Sequence, residues 1–298
     1  MIGQIGKAIR FPEAAKRKLA ATLIRPFTHG SFAEEPHIDV EWDTLIILDA
    51  CRYDTFEKYN PFDVPATCVK SNASHTAEFL ERTFTENHHD TVYVTASPQV
   101  VGYESRFHDV IHVWDSNWDD ELRTVRPDSV TDAARAAMNE YPDKKLIIHY
   151  MQPHYPFIGP TGRELATHAT FTGGLQEREH LSIWELLSAG KVSVEEVRTA
   201  YEENLELVLE EVTELTDELN GKTVVTSDHG NLFGERVSSL PIRLYGHPPN
   251  LPGENLIQVP LVELPFESRR ETTVSPPHKT DSEAEDVESR LEDLGYLQ

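Results

Sequence analysis

Between about residues 40 and 265 the chain alternates short, uninterrupted apolar runs with longer stretches whose apolar residues recur at helical spacing. TLIILD (44–49), TVYVTA (91–96), VIHVW (110–114), KLIIHY (145–150) and KTVVTS (222–227) are the short runs. Continuous apolar segments of this length predict strands covered on both faces. Residues 76–88, 129–141 and 194–219 predict helices. In the last, Val197, Tyr201, Leu205, Val208, Leu209, Val212 and Leu215 form one stripe, Glu fills the outer face, and Asn220-Gly221 supplies a stop signal. Strand–helix alternation of this kind predicts an α/β fold with a doubly wound, mostly parallel sheet and helices on both faces. No internal repeat of fixed period is present.

The flanks depart from this pattern. Residues 155–193 hold several Gly and no clean period, and predict a long excursion near the ligand-binding edge. Residues 267–283 (ESRRETTVSPPHKTDSE) are polar and Pro-containing, as a linker is. A short acidic helix at 284–295 follows, with Leu291, Leu294 and Tyr296 available to dock. In the first thirty residues Lys7, Arg10, Lys16, Arg17, Lys18 and Arg25 face only Glu13. Ala8, Ile9, Ala15, Leu19, Ala20, Leu23 and Ile24 can share one helix side, which Pro12 must start or kink. Such a helix either lies on an anionic membrane surface or packs on the acidic body of its own chain. Three segments result: a basic amphipathic 1–35, a main α/β domain over 36–266, and a linker with a short helix over 267–298.

Charge narrows the class. The 298 residues carry 27 Lys+Arg against 51 Asp+Glu, a formal net charge of -24. That balance argues against a nucleic-acid binder, because phosphate backbones require clustered cations. With 10 Lys and 17 Arg, the surface is the kind that works in high salt, where self-repulsion is screened. No run approaches a membrane span and no signal-type apolar segment follows Met1, so a soluble, cytoplasmic protein is expected. Two cysteines, Cys51 and Cys68, exclude a disulfide scaffold and a Cys-based zinc cluster.

In open parallel sheets ligands bind beyond the carboxyl ends of the strands. The run 44–49 ends at Asp49, followed by Ala50-Cys51-Arg52-Tyr53-Asp54. The run 145–150 holds His149 and leads to Gln152-Pro153-His154, and 222–227 leads into Asp228-His229-Gly230. Tyr245-Gly246-His247-Pro248 adds another imidazole in a turn. An Asp at a strand end is often only a cap or turn residue, and His149 can face the core. Two carboxylates and four imidazoles at one sheet edge, however, make a ligand set suited to Mg, Ca, Mn or Zn.

The order LIILDACRYD, SNASHTAEFL, HYMQPHYPF, VVTSDHGNLFGE, YGHP resembles the alkaline phosphatase superfamily, in its branch of sulfatase-like hydrolases and transferases, over residues 44 to about 263. The resemblance implies a doubly wound α/β fold holding one or two divalent metals and a hydroxyl or modified-Cys nucleophile. It implies Asp49, Asp228 and His229 as metal ligands, and Thr76 as nucleophile, with Ser71 and Ser74 competing for that role. His154 and His247 match positions that contact the ester oxygens or a second metal, and His149 joins Arg52 as a substrate-binding candidate. Arg52 suits a phosphate or sulfate oxygen through its planar fork; a salt bridge to Asp54 or Glu57 is equally open.

Departures from the pattern refine the expectation. The chain lacks Cys-x-Pro/Ala-x-Arg, so formylglycine chemistry is not expected and phosphate is favoured over sulfate. Glu78-Phe79-Leu80 replaces the usual Pro-Ser-His after the nucleophile, and no Asp-x-x-x-His precedes His149 or His154, which favours one metal over two. The expected function is a metal-dependent hydrolase or transferase of a phosphate ester. Its substrate would be a glycan or lipid-linked precursor, met at the inner membrane face through residues 1–30. The contrasting expectation is a catalytically inactive sulfatase-like protein serving binding or assembly.

Overall fold

The apolar runs of the sequence become neighbouring strands because each can bury both faces only inside a sheet covered on two sides. The computed structural model describes residues 19–171, 182–278 and 287–296, with backbone only for 166–171. Its main sheet has seven strands: β1 (Thr44–Leu48), β2 (Thr67–Lys70), β3 (His88–Thr95), β4 (Phe107–His112), β5 (Lys145–Tyr150), β6 (Thr223–Thr226) and β7 (Gln258–Glu263). Their order across the sheet is β2-β7-β6-β1-β5-β3-β4. β1 pairs in parallel with β5 and β6, and β3 with β4 and β5; β7 runs antiparallel to both of its neighbours. The doubly wound, mostly parallel sheet expected from the pattern is therefore present.

The described helices are α1 (Tyr53–Tyr59), α2 (Thr76–Thr83), α3 (Pro127–Glu140), α4 (Pro160–Phe171), α5 (Ile183–Ser188), α6 (Val194–Thr216) and α7 (Val287–Asp293), besides shorter turns. Strand alternation gives the sheet a core on each face. Ile46, Leu48, Val92, Val94, Leu146 and Ile148 pack with α1, α3 and α6, and Leu294 joins them from beyond α7. Leu45, Ile47, Tyr93, Ile147 and Val224 face the other way onto Phe79 and Leu80 of α2. Every residue of the predicted α6 stripe is buried, and the helix opens on a Ser193–Glu196 capping box. It ends at Thr216, before the Asn220-Gly221 stop; Gly221, at φ +85°, makes the later turn into β6.

Several elements differ from expectation. The run predicted at 110–114 is a strand over Phe107–His112, and Val113 opens a short helix instead. The helix predicted at 76–88 stops at Thr83 because β3 begins at His88. β2 and β7 are not among the predicted runs: β2 is largely exposed, and β7 carries Pro260 within its buried Val259–Val262 stretch. The excursion 155–193 contains α4 and α5. Residues 267–278 do not hang free: Thr273 N–H donates to Asp143 O at 2.9 Å, and Ser275 N–H to His89 O at 3.1 Å. Lys144 Nζ binds Thr273 O at 2.7 Å and Ser275 Oγ at 2.8 Å. Of the basic N-terminal segment, residues 1–18 lie outside the described residues; 19–24 are helical, with Ile24 buried and Leu19 and Leu23 exposed. Among the described residues no helix is long and apolar enough to cross a membrane.

Candidate active site

Register brings the site together before any side chain is considered. Ile47 of β1 lies beside His149 of β5 and Thr226 of β6, so Asp49, Gln152–His154 and Ser227–His229 leave the sheet at one edge. The turn after β1 is held by side chains of distant elements. Ala50 adopts φ +59°, an unfavourable region for a residue with a Cβ. Its N–H donates to Asp228 Oδ1 at 3.0 Å, and the Cys51 N–H donates to Ser227 Oγ at 2.8 Å. Tyr201 of α6 donates its hydroxyl to Ala50 O at 2.7 Å and accepts from Arg52 N at 2.9 Å.

Tyr201→Phe would leave both of those buried backbone groups without the hydroxyl. A loss of about 1–3 kcal/mol of unfolding free energy is expected, measurable as a lower urea midpoint at unchanged slope. A midpoint equal to wild type would show that Tyr201 does not hold this turn.

Asp49, Asp228, His149 and His229 are all fully buried. Asp49, His149 and Asp228 each offer a ligand atom, and these atoms lie within 4.8 Å of one another. His229 Nε2 is 3.6 Å from Asp49 Oδ1 and 3.4 Å from Asp228 Oδ2; His149 Nε2 is 3.7 Å from Asp49 Oδ2. His229 Nδ1 faces the Gly230 carbonyl at 2.8 Å. A carbonyl only accepts, so Nδ1 carries a proton, and Nε2 is the ring nitrogen turned toward the two carboxylates. Asp228 Oδ2 and His149 Nε2 are buried with no hydrogen-bond partner. Such an arrangement repels itself unless a cation sits among the donors. The chemistry of this set therefore fits a divalent metal.

The electrostatics point the same way. Burial, followed by the Asp228 charge, holds the Asp49 carboxyl well above the usual range, against hydrogen bonds from Tyr296 and Thr76. Burial also pushes Asp228 up, but His229, His149, the Ala50 N–H and Thr76 together bring it below the usual range. Two buried carboxyls this close cannot both hold charge without a counter-ion, so they titrate apart. Burial lowers His149 to about 4, which leaves its imidazole neutral, the form that binds metal.

Thr76 is the first residue of α2. Its Oγ1 lies 3.3 Å from Asp49 Oδ2 and 3.2 Å from His229 Nε2. The competing hydroxyls have structural work. Ser71 Oγ donates to Asp228 O and accepts from Ala73 N. Ser74 Oγ donates to Pro248 O at 3.1 Å and accepts from Leu251 N at 3.1 Å. His75 caps α2 through Nδ1, which accepts from Ala77 N at 3.2 Å. Its ring lies 5.1 Å from that of His247, and burial, then His229, lowers its pKa to about 3.

His154 and His247 face each other, Nε2 to Nε2, at 2.8 Å. His154 Nδ1 donates to the Tyr155 carbonyl, so its Nε2 accepts and His247 supplies the proton between them. Burial, then His229, lowers His154 to about 3. Arg52 takes the alternative that the sequence left open. Its Nε and Nη2 form a fork with Asp54 at 2.8 and 2.6 Å, and Nη1 reaches Glu235 at 2.7 Å. That guanidinium is committed within the protein. His149, considered for substrate, stands with the carboxylates instead, its Nδ1 2.9 Å from the Tyr93 hydroxyl.

Three residues of the site were not singled out from sequence. His75 is within the quoted SNASHTAEFL, masked by the hydroxyls around it. Tyr93 is one aromatic among the apolar residues of β3, indistinguishable there from core. Tyr296 was noted only as a docking residue, yet its hydroxyl donates to Asp49 Oδ2 at 2.7 Å.

No protein-family model matches the chain, and no curated protein matches it. It is similar to the soluble domain of lipooligosaccharide phosphoethanolamine transferase A from Neisseria meningitidis, at 14% identity, covering 74% of this chain and 75% of that one, with TM-score 0.49. It is similar to the C-terminal periplasmic domain of EcEptC from Escherichia coli in complex with Zn, at 15% identity over 80% and 77%, TM-score 0.48. A protein of the alkaline phosphatase superfamily from Vibrio parahaemolyticus is similar at 10% identity over 85% and 70%, TM-score 0.39.

Proposed function

We propose that this chain is a metal-dependent enzyme that cleaves or transfers a phosphate ester through Thr76. The observation that carries this proposal is the meeting of one hydroxyl with the buried donor set: Thr76 Oγ1 lies 3.2–3.5 Å from Asp49 and His229. Asp49, Asp228 and His229 would hold one divalent ion, and His149 Nε2 is placed as a further donor. When bound, the ion would neutralise charge on the ester oxygens and favour the ionised form of a hydroxyl.

The residues divide the remaining work. Thr76 Oγ would attack phosphorus in line with the leaving oxygen, its hydroxyl proton passing through water to the departing alkoxide, to give a phospho-Thr76 intermediate and the free alcohol. The Nε2–H that His247 turns toward His154 would hydrogen-bond a non-bridging oxygen. Water, or the hydroxyl of an acceptor, then displaces Thr76 and restores it. Neither cysteine stands as a nucleophile: Cys51 is buried in the core, and Cys68 lies on β2. That supports phosphate over sulfate.

A glycan or lipid-linked ester, met in the cytoplasm at the inner membrane face, remains part of the proposal. The exposed Leu19, Leu23 and Phe27, in a stretch of sequence rich in basic residues, support it. The enzymatic test is turnover of p-nitrophenyl phosphate and p-nitrophenyl sulfate after chelation and after adding back Mn, Mg, Ca or Zn. Phosphate release that vanishes on chelation and returns with metal is expected. Metal binding without turnover of either ester, in the wild type and in Tyr296→Ala, would favour a binding protein instead.

A further inference from the structure

We propose that the carboxyl-terminal element, α7 with Tyr296, is a built-in cover whose phenol occupies the site between Asp49 and Thr76 and must leave before an ester can bind. The proposal rests on the catalytic reading of that site. Tyr296 Oη donates to Asp49 Oδ2 at 2.7 Å and lies 3.3 Å from Thr76 Oγ1. Its ring stacks on His154, centroids 4.7 Å apart at 20°, and meets His75 and His247 edge-on at 5.3 and 5.6 Å. One side chain thus touches a metal-ligand candidate, the nucleophile candidate and three imidazoles. A phosphoryl group approaching Thr76 from this side needs the same space.

The position of the oxygen separates a cover from a catalytic acid. An acid that protonates the leaving group stands across the phosphorus from the nucleophile and near the leaving oxygen. Tyr296 Oη instead bonds the carboxylate that would hold the metal, while also contacting the nucleophile, so it competes with both.

Local structure aims the phenol. The Gly295 N–H donates to Glu292 O at 3.0 Å and the Tyr296 N–H to Leu291 O at 2.9 Å. These two bonds and Gly295 at φ +79° form a Schellman motif, in which a left-handed glycine turns the next residue back across the helix end. Leu294, 1% exposed, anchors the turn in the main core. Val287 packs against the same core, and polar contacts flank the helix: Arg290 Nη1 to Asp120 at 3.1 Å, the Arg290 guanidinium 4.7 Å over Trp118, and Arg123 Nη1 to Asp293 at 3.7 Å. Such surface ion pairs are weak, so burial of Leu294, Val287 and the Tyr296 ring holds the element, and release gives up that burial.

Three variants of the full chain test this, each read by Mn2+ binding, by orthovanadate binding and by kcat/KM on p-nitrophenyl phosphate. Tyr296→Ala removes the phenol and keeps α7. It is expected to tighten orthovanadate binding and raise kcat/KM by about 10-fold or more, the factor by which an occluded fraction lowers apparent affinity. Arg290→Glu sets two acids together outside the site and is expected to move the same quantities the same way, by less. Tyr296→Phe, which keeps the ring, is expected to fall between wild type and Tyr296→Ala.

A fall in kcat/KM with Tyr296→Ala in a protein of unchanged far-UV circular dichroism would overturn the cover and make Tyr296 part of the working site. Orthovanadate affinity unchanged in both Tyr296→Ala and Arg290→Glu would also overturn it. Failure of the catalytic reading looks different: orthovanadate and Mn2+ tighten in Tyr296→Ala, while no ester turns over in any variant.

Discussion

Asp228→Ala is expected to lose one equivalent of divalent metal and to lower phosphate-ester turnover by about 1,000-fold or more, since metal stabilisation of a phosphoryl transition state is worth several kcal/mol. Asp228 has two separate duties. Its Oδ1 accepts from the Ala50 and His229 N–H groups, and its Oδ2 is buried without a hydrogen-bond partner, facing His229 Nε2 at 3.4 Å. Alanine removes both functions, so some loss of stability will accompany the loss of metal. Asp228→Asn keeps an oxygen for the two N–H groups and gives up only the charged donor. It should fold like wild type and still lose metal, as counted by elemental mass spectrometry on dialysed protein. Retention of a full equivalent by Asp228→Asn would remove Asp228 from the ligand set, and the proposed site with it.

Thr76→Ala is expected to retain the metal and to lose turnover by a factor of about 10⁴ or more, the scale on which removing a covalent nucleophile acts. The contrast with its neighbour makes the experiment informative. Ser74 Oγ bridges Pro248 O and Leu251 N, so Ser74→Ala should lower stability by about 1–3 kcal/mol and leave kcat largely intact. Thr76→Ser should recover part of the activity, because it restores a hydroxyl at the start of α2. Burst kinetics or mass spectrometry of acid-quenched enzyme would find a phosphoryl adduct on residue 76 in the wild type and none in Thr76→Ala. Undiminished turnover in Thr76→Ala would transfer the role to another oxygen.

The two predictions draw on information of different origin. That Asp49 and Asp228-His229 lie at one sheet edge follows from the apolar runs preceding them. A buried parallel strand is a local, continuous signal, and parallel strands all end on the same side. The α6 stripe is legible for a similar reason, since a helix has to put its apolar residues on one face. These patterns settle layer architecture, the direction of the strands and the stations of the strand-end residues. They are written into neighbouring positions along the chain.

Other features depend on partners far away in sequence. Whether Ser71, Ser74 or Thr76 meets the carboxylates depends on how α2 packs against β1 and β6, and all three hydroxyls are chemically alike in the sequence. Arg52 carries a fork suited to an oxyanion, but Glu235, more than 180 positions on, completes its neutralisation. His149 joins the carboxylates because β5 lies directly beside β1. β2, at the sheet edge and largely exposed, is held by backbone pairing with β7, a gain that owes little to side-chain pattern. Tyr296 reaches Asp49 across almost the whole chain. Hydrophobic periodicity determined the sheet and its chemical edge; which side chains meet there was decided only by tertiary packing, because aim and partnership are properties of the folded space rather than of neighbouring residues.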